Sequence, residues 1–182
     1  GVLIVANDDI HGARGITKTS TTDVHTFRSM ETGLLGTSLY GENRWFRGPH
    51  RKHTKNSPFS VDGVESLPRV DVIYITADVS PDLIDAAVKN GAKGIVTAGV
   101  GNGNMTGPAL EAVKAAVGKG VVVVRASRVT SGTVGRNVEV NDDEAGTVAS
   151  VELNPPRARV LLKLALLKTK DPAKIQQYFY EY

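Results

Sequence analysis

The first place where this chain could house chemistry is Thr17-Lys18-Thr19-Ser20-Thr21-Thr22-Asp23, a lysine among hydroxyls with a carboxylate beside them. A lysine whose pKa burial lowers can take the proton of a hydroxyl nucleophile, and a neighbouring acid can hold it in place. By spacing alone, a solvated loop that caps a short helix at Val24, with Asp23 as N-cap, accounts for the segment better. The second place is Gly99-Val-Gly-Asn-Gly-Asn104, which follows a strand-like run. A dinucleotide site would require G-x-G-x-x-G and an acid about 20 residues on. Here Gly107 arrives one residue late and the next strand ends in Arg125. The glycines therefore read as a tight turn, one that could present the amides of Asn102 and Asn104 to a small polar ligand.

The remaining polar clusters have blander accounts. His50 and His53 are spaced for a metal, but no further histidine lies near them and the chain has no cysteine; the run His50 to Lys55 reads as a solvated basic connector. His11 and His25 stand isolated. Glu139 and Asp142 to Glu144 read as a solvated acidic loop.

The elements that must carry these residues are clearest between Arg69 and Ser127. Val70 to Ile75, Ile95 to Ala98 and Val121 to Val124 are short apolar strands. The helix between the first two has Ser80-Pro81-Asp82 as its start, Leu83, Ile84, Ala87 and Val88 as its stripe, and Gly91 as its stop. The next is opened by Pro108, buries Leu110, Val113, Ala116 and Val117, and closes at Gly120. Such alternation specifies a parallel sheet flanked by helices. Thr37 to Tyr40 and Arg44 to Arg47 flank Gly41-Glu-Asn43 as a hairpin, and Gly48 to Pro68 lacks periodicity and reads as a connector. Pro155 opens a helix through Val160, Leu161, Leu164 and Leu167, and Asp171-Pro172 caps the last. Val2 to Ala6 has the continuous apolar character of an interior parallel strand. A buried strand needs neighbours, so the chain reads as the back part of a longer protein.

Composition narrows the class. Of 182 residues 41% are hydrophobic and 23% charged, as in ordinary globular domains, which argues against disorder. A formal charge of +3 is too small to call for nucleic acid, and no apolar run approaches a membrane span. Disulfides and thiolate chemistry are excluded.

The residues Gly1 to Asp8, Thr17-Lys18-Thr19, Thr22-Asp23, Arg51-Lys52-His53-Thr54, Leu67 to Asp71, Ala98 to Asn104, Ser127-Arg128-Val129, Leu153-Asn154-Pro155 and the terminal Gln177-Tyr178-Phe179 with Tyr182 occur in an order that resembles the bacterial type II L-asparaginases. The resemblance runs through the whole chain and covers the later half, or slightly more, of a family member. It implies an α/β protein: residues 1–50 as the end of a larger amino-terminal α/β domain, 51–68 as a connector, and 69–182 as a smaller carboxyl-terminal domain. It further implies hydrolysis of L-asparagine to L-aspartate and ammonia, without metal or cofactor, through a threonine nucleophile and an acyl-enzyme. By the same resemblance Lys18 is the catalytic lysine, and Asn104 and Glu139 bind substrate from the neighbouring subunit of a tetramer built from close dimers. A periplasmic or secreted location also follows. The family's T-G-G-T-I nucleophile motif and its H-G-T-D-T motif do not occur here, so the expected nucleophile belongs to an amino-terminal segment of the same protein, and these residues alone are expected to be inactive. The alternatives are a glutaminase-asparaginase of broader specificity, whose members often carry serine at the place of Asn104, and a non-catalytic α/β ligand-binding fragment.

Overall fold

A computed structural model describes residues 1–182, which divide into two compact units, Gly1–Ser57 (with Tyr182) and Pro58–Glu181. The first unit contains strands and turns. β1 (Leu3–Ala6), β2 (Asp9–Gly12), β5 (Gly36–Leu39) and β6 (Glu42–Trp45) form one sheet in the order β1-β2-β5-β6, and β3 (Ile16–Lys18) pairs with β4 (Phe27–Ser29) as a second. All of these pairings are antiparallel.

The strand expected at Val2 to Ala6 is present as β1, but its partner β2 is antiparallel rather than parallel, and within these residues its other edge is unpaired, with Val2 and Val5 75% and 58% exposed. The cause is the dipeptide Asn7-Asp8, whose two residues both take positive φ, 50° and 64°, between the paired Ala6 and Asp9. Asn and Asp tolerate that conformation, and a two-residue turn of this kind reverses the chain at once. The hairpin expected around Gly41 is present, with its turn at Tyr40-Gly41, where φ is again positive at both residues, and Leu39 opposite Glu42. Gly36 lies so close to the partner strand that a Cβ there would stand 2.2 Å from the Arg44 carbonyl oxygen.

The second unit is a parallel sheet of β7 (Val70–Tyr74), β8 (Gly94–Gly99), β9 (Val122–Ser127) and β10 (Val148–Ala149), ordered β10-β9-β8-β7. α1 (Asp82–Lys89) connects β7 to β8 and α2 (Gly107–Gly118) connects β8 to β9. Their buried Ile84, Ala87, Ala109, Ala112, Val113 and Ala116 pack with Ile73, Ile95 and Val123 of the sheet. Leu83, expected in the buried stripe of α1, is 56% exposed. The polar stretch after Ser127 contains the short α3 (Asp142–Ala145) before β10. α4 (Pro155–Ala165) lies against β7, β8 and β9, and α5 (Pro172–Glu181) against β10.

In α4 the buried residues are Pro155, Ala158, Leu161, Leu162 and Ala165, while Val160 is exposed, so the stripe is rotated from the expected face of Val160, Leu161, Leu164 and Leu167. Gly94 gives this face its seat on the sheet. A Cβ there would meet Leu162 at 2.7 Å, so the missing side chain is where Leu162 seats. Thr106 and Asn154 cap α2 and α4 by accepting the N–H groups of Ala109 and Arg157, and Asp171 accepts that of Ala173 as expected. α1 begins one residue later than expected, with Pro81 as its N-cap and Ser80 accepting the Asp82 N–H ahead of it. Buried Gln176 of α5 both accepts from and donates to the backbone of Ala149, closing the β10 edge with a side-chain amide. No helix is long and apolar enough to cross a membrane.

Candidate functional site

The glycine-rich loop sits at the carboxyl end of β8, where open α/β sheets place ligands. Val100 and Asn104 exchange backbone hydrogen bonds of 2.9 and 2.8 Å, which folds Gly101 to Gly103 into a small closed loop. Gly99 is required by packing, since a Cβ would lie 2.6 Å from the carbonyl carbon of Gly103 and 2.7 Å from the Asn104 oxygen. Gly103 has φ 75° and faces Val134 and the Arg125 guanidinium. Ser127 at the end of β9 donates to the Gly101 carbonyl at 2.6 Å.

This loop aims Asn104. The Met105 N–H donates to Asn104 Oδ1 at 2.8 Å, fixing the amide so that its Nδ2 donates to Glu139 Oε2 at 3.4 Å. The structure thus brings together two of the three residues singled out from the sequence, and both are exposed. An exposed carboxylate beside an amide can receive an ammonium group and orient a small polar molecule by hydrogen bonding.

Asn102 has a different role from the expected one. Its Oδ1 accepts the Gly135 N–H at 2.7 Å, so it ties the glycine loop to the segment that carries Glu139. The acidic loop is not uniformly solvated either. Asp142 is fully buried, whereas Asp143 is exposed and is held by Arg136 and by Asn137 Nδ2. Asp142 receives Arg125 Nε and Nη2, each at 2.6 Å, the Thr147 hydroxyl at 2.5 Å and the Asn137 N–H at 2.9 Å. Burial alone would raise its pKa, but the Arg125, Thr147 and Asn137 donors and the Arg125 charge outweigh it and hold the carboxyl below its usual range.

Arg125 is the residue that sequence reasoning missed. The signal was present: an arginine that directly continues four valines in a buried strand requires a buried anion.

Lys18 belongs to the first unit. It ends β3, lies opposite Phe27, and is exposed. The hydroxyls around it build a turn, since Thr19 Oγ1 donates to the Thr26 carbonyl, Thr26 Oγ1 to that of Ser20, and Ser20 Oγ accepts the N–H groups of Thr22 and Asp23. The helix expected at Val24 is replaced by this turn, in which Asp23 accepts the His25 N–H. The two histidines read as isolated have partners: His25 Nε2 lies 3.2 Å from Asp9 Oδ2, and buried His11 Nδ1 lies 2.9 Å from the Ser29 hydroxyl. His53 pairs with the Thr54 hydroxyl, and no group of three or more His, Asp or Glu side chains is arranged to hold a metal ion.

Comparison with known proteins agrees with the resemblance. Residues 69–179 match the model of the glutaminase/asparaginase C-terminal domain, and residues 1–51 that of the asparaginase N-terminal domain. The chain is 47% identical over 182 residues to a probable periplasmic L-asparaginase of Haemophilus influenzae and 47% identical over 182 residues to L-asparaginase 2 of Escherichia coli, in each case covering 100% of this chain and 52% of the relative. It is 41% identical over 185 residues to a glutaminase-asparaginase of Acinetobacter glutaminasificans, covering 100% of this chain and 56% of that protein. The chain therefore spans about half the length of the curated relatives it matches. With both family models matched in chain order and this identity along its whole length, the chain belongs to the glutaminase/asparaginase family.

Proposed function

We propose that this chain carries the acid–base lysine and the substrate-binding pair of an amidohydrolase that converts L-asparagine and water to L-aspartate and ammonia. The observation that carries the reading is the 47% identity along all 182 residues to proteins named L-asparaginase. The approach of Asn104 to Glu139 at the mouth of the parallel sheet supports it.

In this reading a threonine supplied from outside these 182 residues attacks the side-chain amide carbon. Lys18 helps move the hydroxyl proton to the departing nitrogen, so that the C–N bond breaks with ammonia as leaving group and an ester to the threonine forms. Water then cleaves the ester. Glu139 receives the substrate's α-ammonium and Asn104 sets the geometry by hydrogen bonding, both from a neighbouring subunit of a tetramer of close dimers. Residues 1–50 act as the end of a catalytic amino-terminal domain, 51–68 as connector and 69–182 as the carboxyl-terminal domain. The name of the Haemophilus relative supports a periplasmic location.

A second reading, broader action on L-glutamine, is favoured by the relative named glutaminase-asparaginase. A pocket separates substrates that differ by one methylene by about 1–3 kcal/mol, so glutamine is expected as a slower substrate of the same site. The test is ammonia release from each amino acid by the protein that carries this chain. Comparable kcat/KM for the two favours the broader enzyme, and release from neither removes the amidase reading.

A further inference from the structure

The geometry points to Arg125 and Asp142 as a buried positioning pair that sets the separation of Asn104 and Glu139, and through it substrate binding, without touching substrate. The substrate side of this inference rests on the amidase reading; the positioning does not.

A guanidinium and a carboxylate that are both fully out of water are costly, and apolar residues in such places often stabilise a fold as well or better. Where the remaining donors go is therefore the informative question. Arg125 Nη1 donates to the Asn102 and Gly103 carbonyls at 3.2 and 3.3 Å, immediately before Asn104. Its Nη2 donates to the Gly135 carbonyl at 3.1 Å, on the segment that leads to Glu139. Asp142 holds the same segment from its other side by accepting the Asn137 N–H.

One planar fork therefore spans the loop between β8 and α2 and the loop between β9 and α3. It fixes each within a few residues of a candidate substrate contact. A lysine, a point charge on a flexible stem, cannot hold three carbonyls and a bidentate carboxylate in one plane. The Asn102 Oδ1 bond to Gly135 N–H is a separate tie between the same loops that involves no buried charge. It offers a way to loosen the arrangement without exposing the pair.

The experiment compares Asp142→Asn, Arg125→Lys and Asn102→Ala in the protein that carries this chain, by amide exchange mass spectrometry and steady-state kinetics. Exchange in segments 100–104 and 135–140 is expected to rise together, while β7 and α4 keep wild-type protection. KM for asparagine is expected to rise about tenfold with kcat within about twofold, the loss of one oriented polar contact. Adding Glu139→Ala to Asn102→Ala should then cost less than the product of the single effects. If Asp142→Asn and Arg125→Lys do not fold, Thr147→Val, which takes one hydroxyl donor from Asp142 and leaves the charge pair in place, decides. Wild-type exchange in both segments together with wild-type KM in that variant overturns the proposal. Joint loosening of both loops in a protein that hydrolyses neither asparagine nor glutamine retains the positioning pair and discards the amidase reading.

Discussion

The Asn104 amide nitrogen donates to a Glu139 carboxylate oxygen at 3.4 Å although 35 positions separate the two residues. Each arrives on its own loop after a different parallel strand, so the contact is a product of the sheet order and of the ties between the loops. In the proposed reading, a substrate ammonium that enters beside Glu139 meets a carboxylate already oriented by an amide whose own oxygen is held by the Met105 N–H.

Glu139→Ala should raise KM for asparagine by about 10- to 100-fold, the worth of a charge-assisted hydrogen bond of about 1.5–3 kcal/mol, with a smaller effect on kcat. Asn104→Ala should lower kcat/KM for asparagine and glutamine and change their ratio. Initial-rate measurements on both substrates check this, and unchanged constants in both variants remove the pair from the site.

Two glycines of the same loop should behave differently. Gly101 has φ 49° and open space around it, so Gly101→Ala should cost about 1–2 kcal/mol of stability, the price of the left-handed region, and leave KM near wild type. Gly99→Ala drives a Cβ into the Gly103 backbone and should displace Asn104 itself. Thermal unfolding together with KM separates the cases; equal effects on KM would mean that the packing at Gly99 does not hold Asn104.

The two units should lose stability in different pH windows. Burial lowers the His11 pKa from its ordinary 6.5, with Asp9 opposing and His25 and Arg28 adding to the shift. The unfolded chain therefore takes up the proton first, and the contribution present above about 6.5 declines as pH falls toward the folded value. Asp142 is held below its ordinary 3.8, so its contribution to the second unit persists at that pH and above and is lost only as acid titrates the folded carboxyl. Amide exchange against pH should show β2 and β4 loosening before β9 and α3. His11→Asn, which keeps a polar atom near the Nδ1 position and removes Nε2, should flatten the first transition; simultaneous loosening of both regions contradicts the assignment.

Much of the second unit was legible because its signals are local. Alternating apolar strands and proline- or glycine-bounded helices between Arg69 and Ser127 need only periodicity and local start and stop signals, and at the end of the chain Asp171 caps α5 as expected. What escaped depends on pairing. The Val2 to Ala6 run looks the same whether its partner is parallel and interior or antiparallel at an edge, and the deciding feature was the Asn7-Asp8 turn. Arg125 after four valines signals a buried anion, but that Asp142, 17 residues on, supplies it is decided by tertiary packing that no spacing rule reports. The seat of Leu162 over Gly94 depends on room left by a missing side chain, which helical periodicity cannot register. Asn104 was legible as an amide presented by the glycine turn, whereas Glu139 came in through family resemblance alone, and the bond between the two is a finding of the structure.

The most direct test of the account is kcat for L-asparagine in Lys18→Met of the protein that carries this chain. Lys18 ends a strand in the unit that lacks the Asn104–Glu139 pair, so the variant probes proton transfer separately from substrate recognition. The account predicts a fall in kcat of ~10²-fold or more with KM little changed, the range for losing a positioned acid–base group. An unchanged kcat would return Lys18 to a solvated turn and contradict the proposed chemistry.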